Sequence, residues 1–158
     1  MASSSRIGIT TDLGLLVARI VLGAIFAAHG YQKLVTFGLA GATESFRGMG
    51  VPAPEIAAPV VALVELIGGI ALIVGAFTAI AGLLLAIDML AAALIAHIPQ
   101  GLFIDAGGWE LVGALGAGAL VLAAVGAGRF SLDGLRQGGR GSRSRAASHA
   151  ASASSASA

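Results

Sequence analysis

Apolar residues run almost without a break through four stretches of the chain: Leu13 to Val35, Ile56 to Gly75, Thr78 to Ile98 and Trp109 to Ala127. At a rise of 1.5 Å per residue, stretches of about 19–23 residues make helices of roughly 29–34 Å, enough to cross a hydrocarbon core of ~30 Å. The runs are continuous and rich in Ala and Leu. They do not alternate, which argues against membrane strands. The pattern predicts an all-α fold, a four-transmembrane-helix antiparallel bundle.

The breaks between runs support this count. Gly75-Ala76-Phe77-Thr78 is short and uncharged and predicts a hairpin between the second and third helices. Pro99 and Gly101 close the third helix, and Gly107-Gly108 precede the fourth. The connection from Thr36 to Glu55 is longer and holds Glu44, Arg47, Pro52 and Pro54. Within it, Thr43 to Gly50 is expected to form one short interfacial turn of helix. Pro54 suits the first turn of the second helix, and Pro59 is tolerable near that end. The chain thus divides into an N-terminus (1–12), a transmembrane domain (13–133) and a tail (134–158). The tail is Gly/Arg-rich, then Ser/Ala-rich, and is expected to be disordered. A solvated tail that helps to set topology is preferred to one that binds anionic lipid through its four Arg residues.

Composition agrees with the pattern. Hydrophobic residues make up 57% of the 158 positions and charged residues 11%, and mean hydropathy is +0.94. Soluble domains carry roughly 45–50% apolar and about 25% charged residues, so a typical soluble enzyme and a disordered chain are both excluded. There is no cysteine, which excludes disulfides, thiolate metal sites and cysteine nucleophiles on this chain. A net charge of +1 implies no nucleic-acid partner. The expected surroundings are the lipid bilayer of a cell (inner) membrane, crossed several times.

Lys and Arg near the helix ends give an orientation. Arg6, Arg129, Arg136, Arg140, Arg143 and Arg145 lie on one side. Lys33 and Arg47 lie on the other, among Glu44, Glu55 and Asp105. Both termini are therefore expected in the cytoplasm. The first apolar stretch carries Arg19 and follows Asp12, so a retained helix is preferred to a cleaved signal peptide.

Three ionisable residues fall inside the apolar runs: Arg19, Glu65 and Asp88. Each costs about 2.5–3.5 kcal/mol at a helix centre, so all three should face inward and compensate one another. An Arg19–Glu65–Asp88 cluster is expected, at comparable depths along the first three helices. It holds one cation against two carboxyls, so one carboxyl stays protonated or another cation joins. Such a cluster is either a proton-holding site or a buried polar knot that fixes helix register.

A second group gathers toward the outer face. His29, Tyr31, Gln32 and Lys33 end the first helix, His97 ends the third, and Trp109 and Glu110 open the fourth. His29 and Lys33 are four apart and share a face. Arg19, Phe26 and Lys33 follow a heptad on one stripe. On a regular helix His97 sits about 180° from Asp88, so either one of them faces a partner or the helix is irregular. Two histidines at one depth would permit axial haem ligation. Lys33 beside them argues against a bare metal ion, and nothing marks haem. A polar pocket with aromatic residues at the interface suits a quinone headgroup or an anionic substrate better. Trp109 and Tyr31 also read simply as interfacial anchors.

Small-residue spacing at Gly23/Ala27, Gly68/Gly69 and Gly113/Ala117 points to close helix packing. Ala28-His29-x-x-Gln32-x-Leu34 is echoed by Ala96-His97-x-x-Gln100-x-Leu102, which would fit a duplicated helix pair.

Together these residues resemble a known family. Arg19-Ile-Val-Leu-Gly23 with Phe26-Ala-Ala-His29-Gly30-Tyr31-Gln32-Lys33-Leu34 is similar to the first helix of DoxX membrane proteins. Glu65-Leu-Ile-Gly68-Gly69, Asp88-Met89 with His97, Gly108-Trp109-Glu110 and Gly128-Arg129-Phe130-Ser131-Leu132-Asp133 extend the resemblance over about 13–133. It implies a four-helix inner-membrane protein. Related DoxD proteins are subunits of thiosulfate:quinone oxidoreductase, the family name is tied to a terminal quinol oxidase, and other members are associated with oxidative-stress assemblies. Fold transfers across such a family better than function does. Three readings follow: a quinone-linked redox subunit, a noncatalytic anchor or assembly partner for redox enzymes, and a small transporter. Each implies a homo- or hetero-oligomer, and the first two imply a redox-enzyme partner. Without cysteine, thiol chemistry would belong to that partner or to the substrate.

Overall fold

The computed structural model describes residues 3–136, with side chains from Gly8 onward. All regular structure among the described residues is helical. Helix α1 (Ser3–Tyr31) continues into a wide, π-helical turn at Gln32–Thr36. A short helix α2 (Gly38–Gly48) follows, then α3 (Pro54–Val74) and α4 (Thr78–Ala92). The α4 helix ends in a second wide turn, Ala93–His97, and a 3-10 turn, Ile98–Gln100. A further 3-10 turn, Ile104–Ala106, leads to α5 (Glu110–Val125), and a last helical turn covers 132–136.

Three segments, Gly8–Thr36, Pro54–Val74 and Thr78–Gln100, are long and apolar enough to cross a membrane. The fourth, α5, is apolar but has 16 residues, about 24 Å of helix. It is shorter than the apolar run because Trp109 forms its N-terminal cap and Gly126, at φ 91°, stops it before Ala127. The first helix begins ten residues before the apolar run, and in this extension the Asp12 Oδ1 accepts the Arg129 N–H at 2.9 Å. The expected interfacial turn is a three-turn helix, α2, with Phe46 and Ala42 buried against Ala58 of α3. Pro54 stands in the first turn of α3, as its lack of an N–H favours.

The bundle is two tight pairs, α1 with α3 and α4 with α5, joined through α3 and α4. Close approach explains the first pair. A Cβ on Gly23 would lie 2.5 Å from the Gly69 carbonyl oxygen, and one on Gly30 would lie 2.4 Å from the Leu66 nitrogen. Backbone meets backbone there, and the gain is dispersion between surfaces no side chain separates. In the second pair, Gly82 meets the Ala119 carbonyl in the same way. Gly68 instead receives the Leu85 side chain, and Gly113 lies under the ring of Trp109. The core between the pairs is Phe26, Leu72, Leu85, Met89, Leu115, Ala119 and Leu122.

One end of the bundle is closed by a polar clasp. Arg19, fully buried, donates to the carbonyls of Ala127 and, at 2.8 Å, Phe130. Asp133 accepts the N–H groups of Phe77 (3.0 Å) and Thr78 (2.9 Å) and so caps α4. Its own N–H donates to the Gly75 carbonyl. Gly75 ends α3 at φ 67°, and a Cβ there would sit 2.6 Å from the Arg19 guanidinium, so only glycine fits. The expected tail boundary at 134 falls inside the last helical turn, which hydrogen-bonds back to Ser131. The rest of the tail lies outside the described residues.

Candidate functional site

The close α1–α3 contact decides which charges meet. Helical side chains lean toward the N-terminus of their helix. Lys33, near the end of the first span, therefore leans back into the membrane. Its Nζ lies 2.5 Å from Oε2 of Glu65, which is 4% exposed. Arg19 leans the same way along α1, and from its place near the start of the span this carries it out toward the clasp. The expected Arg19–Glu65–Asp88 cluster is thus corrected: Arg19 is spent on the Ala127 and Phe130 carbonyls, and Lys33 takes its place beside Glu65. Asp88, on α4, lies within electrostatic range of both Lys33 and Glu65. Its Oδ2 is buried and makes no hydrogen bond.

These groups form the polar part of a cavity of about 370 Å³. Phe26 and His29 contribute from α1, Lys33 from the wide turn after it, Val61 and Glu65 from α3, and Asp88, Met89, Ala92 and His97 from α4 and its wide turn. Leu111, Val112 and Leu115 of α5 form a further wall. Phe46 and Met49, from the end of α2, and Val51 cover it. The helix that covers the cavity is tied to α3 by Arg47, which pairs with Glu44 and, at 2.5 Å, with Glu55.

His97 and Asp88 line the same cavity although a regular helix would set them about 180° apart. The wide turn at Ala93–His97 supplies the difference. One residue of slip takes about 100° out of that angle and leaves roughly 80°. His97 is then fixed by Nδ1, which donates to the Gly107 carbonyl at 2.8 Å and leaves Nε2 as the acceptor nitrogen. The first wide turn follows His29 whereas the second ends at His97, so the two echoed segments differ in register.

The other residues of the outer group stand apart from the cavity lining. Tyr31, Gln32 and Trp109 are exposed, as interfacial anchors would be. Glu110 accepts the Ile104 N–H through Oε1 at 2.7 Å and closes the loop before α5. Among the described residues no three His, Asp or Glu side chains converge to hold a metal. The cover from α2 left no mark in the sequence, and the irregular third helix that the His97–Asp88 angle allowed is located by the structure at the Ala93–His97 turn. The Arg19–Phe26–Lys33 heptad was the available signal for Lys33, because Phe26 lies in the core and marks that stripe as inward.

Comparisons with known proteins agree with the geometry. The DoxX family model matches residues 14–98. "Inner membrane protein YphA" of Escherichia coli (strain K12) is 33% identical over 125 residues, which are 75% of this chain and 87% of that protein. "Inner membrane protein YqjF" of the same organism is 32% identical over 124 residues, 78% of this chain and 92% of that protein. "Putative oxidoreductase CatD" of Bacillus subtilis (strain 168) is 36% identical over 81 residues, and the match spans 51% of this chain and 58% of CatD. No solved structure matches. A family model over more than half of the chain, relatives aligned over most of their length, and a helical bundle with apolar spans lead to one assignment. The chain belongs to the DoxX family of multi-pass membrane proteins.

Proposed function

We propose that this DoxX protein is a quinone-linked redox subunit whose cavity receives a quinone headgroup. The observation that carries this reading is the unpartnered, buried Oδ2 of Asp88 in an otherwise apolar cavity, beside an ion pair. A buried carboxyl oxygen without a partner costs free energy unless a ligand or a proton satisfies it. A quinone oxygen fits that need: protonated Asp88 donates to a carbonyl, and ionised Asp88 accepts from a hydroxyl. The name of CatD as an oxidoreductase supports the same class.

A bound quinone would supply two-electron, two-proton chemistry. The chain's own residues do the rest. Phe26, Met89 and Leu115 exclude water and pack a ring. The Lys33–Glu65 pair fixes the local charge, so that a proton gained or lost at Asp88 changes the site by one whole charge. His97, oriented by Gly107, offers Nε2 as a second proton acceptor. Lys33 is already paired and faces two carboxyls, which favours a neutral head over the anionic substrate. We also assign both termini to the cytoplasm, on the Arg129 and Arg136 end of the bundle.

The test is titration of the purified full chain in nanodiscs with decylubiquinone, following Trp109 fluorescence and heat. Saturable binding that weakens at least tenfold in Asp88→Leu, about 1.4 kcal/mol, is expected. An absence of saturable binding, together with unchanged quinol turnover in native membranes, overturns the reading. A redox enzyme copurifying with a protein that does not bind quinone would instead favour the anchor role.

A further inference from the structure

We infer that the cavity opens sideways into the bilayer, between the outer halves of α1 and α5, and takes its ligand from the lipid as a neutral amphiphile with a carbonyl or hydroxyl head. This rests on the quinone reading for the identity of the head, and on independent geometry for the opening.

The geometry begins where the seam is shut. Leu22 of α1 packs onto Gly118 of α5, and a Cβ on Gly118 would lie 2.9 Å from Leu22 Cδ1. The clasp contacts of Arg19 and Asp12 with the chain after α5 show that the two helices run antiparallel. Seven residues along a helix return to nearly the same face, about 20° away and roughly 10 Å along the axis. Seven residues on from Leu22 is His29, and seven residues back from Gly118 is Leu111. Both steps lead in the same direction, away from the clasp, and stay on the facing stripes. A seam that remained shut would bury both residues. Instead His29 is exposed and Leu111 is 39% exposed, and both line the cavity. Beyond the Leu22–Gly118 contact the helices have parted, and the gap leads from the hydrocarbon to Asp88.

The chemistry of the occupant follows from the two ends of this path. Apart from His29 the outer end is apolar, and it lies within the span Gly8–Thr36, about 10 Å short of its last residue. A fully hydrated solute would lose its water there. The inner end holds two carboxyls and one ammonium that Glu65 already occupies, so among the described residues a phosphate or carboxylate head meets no unpaired Lys or Arg there. Asp88 Oδ2 is left to accept from a hydroxyl or, once protonated, to donate to a carbonyl. The tail stays in the opening, against Leu111 and the α1 stripe, with His29 at the threshold.

The experiment uses two photoreactive amphiphiles with a diazirine in the tail, one with a benzoquinone head and one a simple dodecanol. Each is applied to the full chain in nanodiscs, and labelled peptides are mapped by mass spectrometry. The expected result is several-fold more label on the α1 and α5 stripes flanking His29 and Leu111 than around Ile67, on the exposed face of α3. Leu111→Trp should cut seam labelling several-fold, and Ile67→Trp should not, with both variants retaining the parental melting temperature. Uniform labelling of all lipid-facing surfaces, or seam labelling indifferent to Leu111→Trp, overturns the lateral opening. The two readings separate cleanly. Seam labelling by dodecanol that unlabelled quinone does not displace removes the quinone and supports the opening. Saturable quinone binding with an unlabelled seam removes the opening and leaves the quinone.

Discussion

Lys33 and Glu65 form an ion pair across the closest contact in the bundle, with Glu65 almost fully buried and Asp88 nearby. Breaking such a pair from one side leaves a charge the bilayer interior penalises, typically by 3–5 kcal/mol, whereas replacing both partners with apolar side chains is often neutral. Lys33→Met should therefore lower stability by about 3 kcal/mol, and Lys33→Met with Glu65→Leu should recover most of that loss. Unfolding in mild detergent around the double-mutant cycle measures this, and purely additive losses would show that the pair is not coupled. The sequence made the intramembrane charges legible but not their pairing. Arg19, Glu65 and Asp88 stood out because charges are rare inside apolar runs. A position along an apolar run fixes the depth of a Cα atom, whereas Arg and Lys side chains reach several ångströms beyond it, in a direction that the run does not set. Both lean toward the start of α1, which carries Arg19 out to the Ala127 and Phe130 carbonyls and brings Lys33 in to Glu65.

At the scale of elements, the apolar runs foretold the spans because hydrocarbon thickness sets their length. The wide turns at Gln32–Thr36 and Ala93–His97 change no composition, and only the angle between His97 and Asp88 hinted at the second of them. The glycines were legible in kind, and the structure shows which of them decide packing. Gly30→Ala would drive a methyl to 2.4 Å from the Leu66 backbone, where nothing flexible can yield. It should separate α1 from α3 at a cost of about 1–3 kcal/mol. Gly14→Ala, with nothing within 4 Å, should leave stability unchanged or raise it. Thermal midpoints in one detergent compare the two directly, and equal effects would contradict the packing. The α4 cap makes a prediction in pH. Partial burial raises the Asp133 carboxyl, but the N–H groups of Thr78 and Phe77, and Arg136, outweigh it and hold it below its ordinary 3.8. The unfolded chain therefore takes up the proton first as pH falls. The cap's contribution is complete at neutral pH and is lost as pH drops below the ordinary carboxylate range, through the lower folded value. Asp133→Asn should lower stability at pH 7 and flatten this part of the acid limb. An unchanged acid limb would assign that pH dependence elsewhere.

For the whole molecule, the structure sharpens the charge asymmetry from which orientation is argued. Lys33 no longer counts at the outer end, because its ammonium points into the membrane at Glu65. Arg47 remains there, held by Glu44 and Glu55. Arg19 is withdrawn into the clasp, while Arg129 and Arg136 stay exposed beside it. Counted by Lys and Arg alone, as translocation responds to them, the clasp end is the more positive, which is why we propose that it lies in the cytoplasm. On that proposal the cavity, its cover α2 and the lateral opening face the outer half of the membrane. A chain without cysteine allows a direct check, since each introduced thiol is the only one. Gly48 has nothing within 4 Å of an added Cβ, and Leu135 is 72% exposed, so neither substitution disturbs packing. Gly48→Cys should react with a membrane-impermeant maleimide in intact cells. Leu135→Cys should react only after the membrane is opened. The reverse pattern would place the termini outside and would move the polar end of the cavity, and any proton exchanged at Asp88, to the cytoplasmic half.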